Sequence, residues 1–318
     1  MPMYFAPMEG LTDDIFRRAH KACFAGVDKY FIPFVAPTQH CVFMPKEKTA
    51  LLPENNQGLY AVPQVLTKNV EYFLWAAREM RDMGYPEVNL NIGCPSPTVT
   101  TKGKGSGMLK DPESLQYFLD DIFSRSPLPI SVKTRIGYDS PDEWPRLLEI
   151  LKHYPMLELI IHPRTRSEQY RGDVHPNAFA LAAENVSCPL VYNGNLFTAA
   201  DFQAMQAQYP AVSLMAGRGA MTNPALFQEA AGGEKLSIPQ LRTFIDTLYH
   251  GYAARYDQSV IIGRMRDVLK MLALGFEDSK KPLKAICKAR TLEAQHLAIE
   301  QLLSLPLTET PAFGDTSK

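Results

Sequence analysis

No stretch of the chain approaches the ~20 consecutive apolar residues that span a bilayer, and Met1-Pro2-Met3-Tyr4 brings no basic segment ahead of an apolar run. A membrane anchor is therefore not expected, and the expected location is cytoplasmic. Cysteine is scarce and unpaired: Cys23, Cys41, Cys94, Cys188 and Cys287 are odd in number and never spaced as C-x-x-C. That pattern argues against a disulfide framework and against a thiolate zinc site, so no metal is expected. Excess charge is also missing. A net charge of −1 over 318 residues does not describe a protein that coats nucleic acid indiscriminately.

What is present is a globular composition, 46% hydrophobic and 21% charged, too apolar for a disordered chain. Short runs rich in β-branched and aromatic residues occur at 3–6, 29–34, 61–66, 87–91, 130–133, 157–162, 190–193 and 212–216. Helical periodicity fills the intervals. Over 69–83, Val70, Phe73, Leu74, Ala77 and Met80 share one face, with Asn69 to cap the start and Gly84 the end. Asp111-Pro112 opens another helix. Eight strand-helix units with strands apolar enough to be buried on both faces predict a closed (β/α)8 TIM barrel over 1–234; an open doubly wound sheet is the alternative. Beyond it, Leu241, Phe244, Ile245, Leu248 and Tyr252, then Ile261, Met265, Val268, Leu269 and Leu272, make two helical stripes. A small all-helical C-terminal domain is expected over 235–306, and a disordered Thr/Pro/Ser-rich tail over 307–318. Between Arg264 and Arg290 eight basic residues face three acidic ones. Arg264, Lys281 and Lys284 in that cluster are candidates for an anionic partner.

Polar residues with chemical capacity stand at or just past the strand ends: Pro7-Met8-Glu9, Gln64, Asn91 with Cys94 beyond it, Lys133, His162 with Arg164, Asn193-Gly194 and Gly217-Arg218-Gly219. In a barrel those ends converge on one mouth. The Gly-Arg-Gly turn, with a helix expected near Asn223-Pro224, suits a phosphate. Lys133 at the end of a buried strand needs an anionic partner or a lowered pKa. Cys94 could serve as a protonated general acid, or as a nucleophile if His162 acts as its base. The long Gly-spaced basic segment 96–107 suits a mobile lid.

A-P-M-E-G-L-T-D (6–13), N-L-N-I-G-C-P-S (89–96), K-G-K-G-S-G-M-L-K-D-P-E (102–113), S-V-K-T-R-I-G (131–137), H-P-R-T-R (162–166), Y-N-G-N (192–195) and A-G-R-G-A (216–220) resemble the tRNA-dihydrouridine synthases. The resemblance implies FMN at the mouth, NADPH as reductant, tRNA as partner, and reduction of the uracil 5,6 double bond. It implies Cys94 as the proton donor to carbon 5 and hydride delivery to carbon 6. Pro7, Met8, Glu9, Gln64, Lys133, His162, Asn193, Gly194, Asn195, Gly217 and Arg218 would hold FMN, and Asn91, Tyr170 and Arg164 would lie by the inserted base. The family usually has Asp at the position of Asn89, Gly at that of Pro163 and an acidic residue at that of Asn195. The M-E-G and C-P-S-x-T-V stretches lean toward the subfamily acting at the 5′ side of the D-loop, position 16. Two rival readings are a flavin barrel reducing a small pyrimidine or enone, and an RNA-binding barrel without turnover.

Overall fold

The computed structural model describes residues 1–309. Nine strands, β1 (Met3–Phe5), β2 (Lys29–Phe31), β3 (Ala61–Val62), β4 (Gln64–Val65), β5 (Val88–Ile92), β6 (Ile130–Gly137), β7 (Leu159–Thr165), β8 (Leu190–Tyr192) and β9 (Ser213–Ala216), form one parallel sheet in the order β3-β2-β1-β9-β8-β7-β6-β5-β4. All eight expected runs are strands, and helices alternate with them. The third run is split by Pro63, which has no N–H for the ladder. Its first half pairs with β2, its second with β5, and a Val35–Val65 bridge closes the ring. The sheet is thus a nearly closed TIM-type barrel, and the open doubly wound alternative is set aside. Pro163 is accommodated by the same logic. The β6–β7 register shifts between Arg135 and Gly137, opposite the stretch that holds Pro163, so the missing donor falls at a bulge.

Inside the barrel the filling is divided. Tyr4, Ala6, Phe31, Val62, Ile160, Val191 and Met215 form a small apolar cluster, while the register of β4, β5 and β6 puts Gln64 beside Asn89, Asn89 beside Ser131 and Asn91 beside Lys133. The larger core lies between sheet and helices. The helix Val70–Asp82 starts where Asn69 Oδ1 accepts from Tyr72 N at 3.0 Å, and Pro112–Arg125 where Asp111 Oδ1 accepts from Ser114 N at 3.1 Å.

After the barrel come the helices Ile238–Ala253, Gln258–Leu272, Lys280–Lys288 and Leu292–Leu303, their apolar stripes buried. Two ion pairs tie them to the first barrel helix, Asp14–Cys23: Arg255 holds Asp14 at 2.8 Å and Arg264 holds Asp13 at 2.7 Å. Residues 307–309, expected in a disordered tail, are instead bonded. Leu307 bridges Phe276, Thr308 N donates to Gly275 O at 2.9 Å, and Glu309 pairs with Lys235. The rest of that expected tail, 310–318, lies outside the described residues. No helix among the described residues is long and apolar enough to cross a membrane.

Candidate active site at the barrel mouth

Two adjoining cavities, of about 480 and 1020 Å³ measured out to open solvent, occupy the C-terminal end of the barrel. They share Pro7, Met8, Lys133, His162 and Tyr170. The first adds Asn193, Gly194, Asn195, Gly217 and Arg218; the second adds Glu9, Gln64, Asn91 and Cys94. The strand ends therefore bring together most of the residues singled out from the sequence, as parallel barrels do.

Cys94 is half-buried on the turn after β5. Asn91 Oδ1 accepts from the N–H groups of both Gly93 (3.0 Å) and Cys94 (2.9 Å), which fixes that turn. Burial pushes the thiol above its ordinary pKa, only partly offset by the Ser96 N–H and the nearby Arg135 and Lys133 charges. It is therefore protonated at neutral pH, the state an acid requires. Its expected base is not set up as one. His162 Nε2 lies 3.2 Å from Arg164 Nη1 and so accepts from it, and burial, with Arg135, Lys133, Arg164 and Arg218 around it, holds His162 well below the usual imidazole range.

Behind Asn91 a chain of side-chain bonds runs down the barrel axis. Asn91 Nδ2 donates to Gln64 Oε1 (2.7 Å), Gln64 Nε2 to Asn89 Oδ1 (2.7 Å), Asn89 Nδ2 to Ser131 Oγ (2.9 Å), and Ser131 Oγ to Glu87 Oε2 (3.3 Å). Glu87 pairs with Lys29 at 2.7 Å, and Lys29 with Glu158 at 3.1 Å. Gln64, Asn89 and Ser131 are fully buried, so each unmade bond would carry a desolvation cost of about 1–3 kcal/mol. Asn91 is thus a holder of the Cys94 turn as well as a cavity wall.

Lys133 is half-buried, and among the described residues none accepts a hydrogen bond from its ammonium or forms an ion pair with it. Burial first, and Arg135 second, push its pKa down to about 7. At the other end Arg218 Nη2 reaches Asn195 Oδ1 at 3.3 Å, with its guanidinium over the rings of Tyr170 (4.9 Å) and Phe197 (5.3 Å). Asn195 adopts φ +35°, which Asn tolerates better than most residues. Gly217 is needed for closeness: a Cβ there would stand 3.0 Å from Met8 Sδ and 3.3 Å from Ala6 Cβ. The helix expected near Asn223 starts at Leu226, and a separate short helix, Arg218–Thr222, precedes it.

Other expectations are corrected. Arg164, placed beside a substrate, is 1% exposed and lines neither cavity; it bonds Gly172 O, Arg171 O, Asn195 Oδ1 and His162 behind the wall. Glu9 reaches only the rim, 3.4 Å from Lys46. Arg264 is engaged by Asp13 and stacks on Tyr256 at 4.5 Å, so it is no open basic face. Lys281 and Lys284, expected on a basic face of the C-terminal helices and not in the cavities, are exposed. The segment 96–107, read as a mobile lid, is packed only in part: Thr100 and 105–107 are buried, Ser106 Oγ donates to Cys94 O at 2.8 Å, and Pro97, Thr98, Thr101 and Lys102 are exposed. Arg135, not among the expected site residues, stands two residues past Lys133. It is 1% exposed, bonds Gly93 O, Thr165 O and Gln169 O, and lies 5.2 Å beneath the Tyr170 ring.

Comparison with known proteins shows the family. The family described as "Dihydrouridine synthase (Dus)" matches residues 4–302. Among curated relatives, "tRNA-dihydrouridine(16) synthase" of Pseudomonas syringae pv. tomato is 26% identical over 88% of this chain and 92% of its own length. "Probable tRNA-dihydrouridine synthase 2" of Bacillus subtilis is 32% identical over 79% of each. Among solved structures, an asparagine-to-alanine variant of morphinone reductase in complex with tetrahydroNAD superposes with a TM-score of 0.55 at 12% identity, covering 76% of this chain and 90% of that one. At that identity the likeness concerns the fold alone.

Proposed function

The chain belongs to the dihydrouridine synthase family and is an oxidoreductase of that family; from that premise we propose that it reduces the 5,6 double bond of a tRNA uridine in the cytoplasm. FMN would be the bound cofactor, NADPH the reductant, and position 16, at the 5′ side of the D-loop, the target.

The residues present fit a flavin mononucleotide. A half-buried ammonium without a counter-charge among the described residues, Lys133, stands where the two cavities meet, suited to an electron-rich ring edge. Arg218 and the glycine-bounded backbone at 194 and 217–219 line the first cavity alone, suited to a phosphate. FMN held there would supply the hydride for carbon 6 of the uracil. The Cys94 thiol donates its proton to carbon 5, and the thiolate takes a proton back from water. Asn91 keeps the donor's backbone in place through the two N–H groups it accepts. His162, held neutral, is available as a hydrogen-bonding partner without adding charge.

The observation that carries this reading is the meeting of the Cys94 thiol and the Lys133 ammonium, unpartnered among the described residues, in one cavity. The small-molecule reductase alternative leaves the C-terminal helices unused, whereas the family match runs through them to residue 302. Cys94→Ala should lower dihydrouridine formation on tRNA by roughly 10²–10⁴ while the flavin absorbance persists. Equal rates for the two proteins would remove Cys94 as the acid.

A further inference from the structure

Between Glu87 and Asp111 the chain has no acidic residue and three lysines, Lys102, Lys104 and Lys110. The first two flank Gly103, whose φ is +68°. A Cβ at Gly103 would stand 3.1 Å from Lys68 Nζ, so the Lys68 ammonium, arriving from the loop after β4, lies on that turn. Lys68 and Lys102 are exposed and Lys104 is half-buried. Among the described residues no carboxylate forms an ion pair with any of the three. Burial, then Lys102 and Lys68, hold Lys104 below the usual lysine range; Glu47 is the one charge that opposes them. Both Glu47 oxygens are already occupied, accepting from Ala36 N and Met44 N at 2.9 Å.

This cluster belongs to the wall that carries the acid. Ser106, two residues after Lys104, donates through N and Oγ to Cys94 O, and a Cβ on Gly105 would stand 3.1 Å from Cys94 Cβ. Two residues of chain span at most about 7 Å, so the backbone of Lys104 lies close to that of Cys94, outside the lining of both cavities. A uridine whose base enters at Cys94 leaves its flanking phosphates outside the cavity, on the Cys94 side. Three like charges gathered without a counter-ion are a liability in the free protein and an asset against a polyanion.

We propose that Lys68, Lys102 and Lys104 form a docking surface for the sugar-phosphate backbone of RNA on the Cys94 side of the cavity mouth. The proposal rests on tRNA being the substrate. It places the RNA footprint at the mouth, where the chain's own carboxylates do not neutralise the lysines, whereas Arg264 is bound to Asp13.

The test uses the full-length flavin-loaded protein and tRNA binding as a function of salt. In the triple variant Lys68→Gln, Lys102→Gln, Lys104→Gln the slope of log affinity against log salt should shrink by about 1 for each phosphate no longer neutralised, so by about 2–3 in all. The triple arginine variant should keep the wild-type slope, which separates charge from fold. An unchanged slope in the glutamine variant overturns the proposal. So does an intact slope with a raised KM for NADPH, which would assign the lysines to the reductant's phosphate. Because binding decides the surface and dihydrouridine decides the activity, a wild type that binds with the predicted slope yet forms no product would sink the proposed function and leave the surface standing.

Discussion

Replacing Lys133 by Met isolates the electrostatic state of the mouth. The side chains are similar in length, so packing changes little, but the charge disappears. The unfolded chain holds that proton up to about pH 10.5 and the folded, flavin-free chain only up to about pH 7. Between those values the unfolded state binds more protons, so wild-type stability rises with pH. The penalty is therefore full below pH 7 and gone above pH 10.5. At ~1.4 kcal/mol per pH unit the ceiling is roughly 4–5 kcal/mol. Lys133 lines cavities open to water, which reduces this to about 2–3 kcal/mol. In urea unfolding of the flavin-free proteins, Lys133→Met should be the more stable by that amount at pH 6, and by less than half of it at pH 9. Adding FMN should reverse the order, because the wild-type ammonium then gains its partner. A gap that is the same at both pH values, or a wild type more stable at pH 6, would refute the reasoning by showing that the ammonium is already compensated.

Three further outcomes can be checked. Under saturating tRNA the rate of uracil reduction should be flat through neutral pH and fall only above the ordinary thiol range, because burial raises the Cys94 pKa; a decline near pH 7 would assign the limb to another group. Asn91→Leu removes the acceptor for two N–H groups, and should lower kcat about 10-fold or more with the flavin spectrum unchanged, since a small misplacement of an acid is costly. Arg264→Ala should destabilise the protein by about 2–4 kcal/mol in thermal or urea unfolding, because Asp13 loses the partner of a largely buried pair. Its effect on the salt slope of tRNA binding should be small, in contrast to the rim lysines.

The barrel was legible because its strands are short apolar runs between amphipathic helices, and period alone separates the two. The mouth followed from position: once the runs are strands of one parallel barrel, Lys133, His162, Asn193 and Gly217 must face one another across its end. What escaped the sequence depends on pairing partners far away in the chain. Nothing local in Arg264 shows that Asp13 is opposite it, 251 residues earlier. Nothing in the glycine spacing of 102–107 shows that Ser106 bonds the Cys94 carbonyl and packs the end of that segment. Arg164 and Arg135 look equally available one strand apart, yet both are committed to backbone carbonyls. Pro63 and Pro163 were visible, but their consequence, a split strand and a bulge, required the ladder itself.

Those distant pairings also explain how a protein of net charge −1 can present a cationic mouth. The carboxylates inside the barrel, Glu87 and Glu158, sit with Lys29 at the end where β2, β5 and β7 begin. The cations Lys133, Arg135 and Arg218 stand at the opposite end, and between the two lies the neutral ladder of Ser131, Asn89, Gln64 and Asn91. Amides suit that position because each donates on one side and accepts on the other, so the ladder orients without placing an anion next to the mouth. An aspartate in place of Asn89 would lose the donor to Ser131 and bring a negative charge into the interior nearer to Lys133. Asn89→Asp should accordingly raise the Lys133 pKa in the flavin-free protein and shift the pH at which the Lys133→Met stability gain fades to higher values. The same fade point with and without the Asn89→Asp change would show that the ladder does not insulate the two ends.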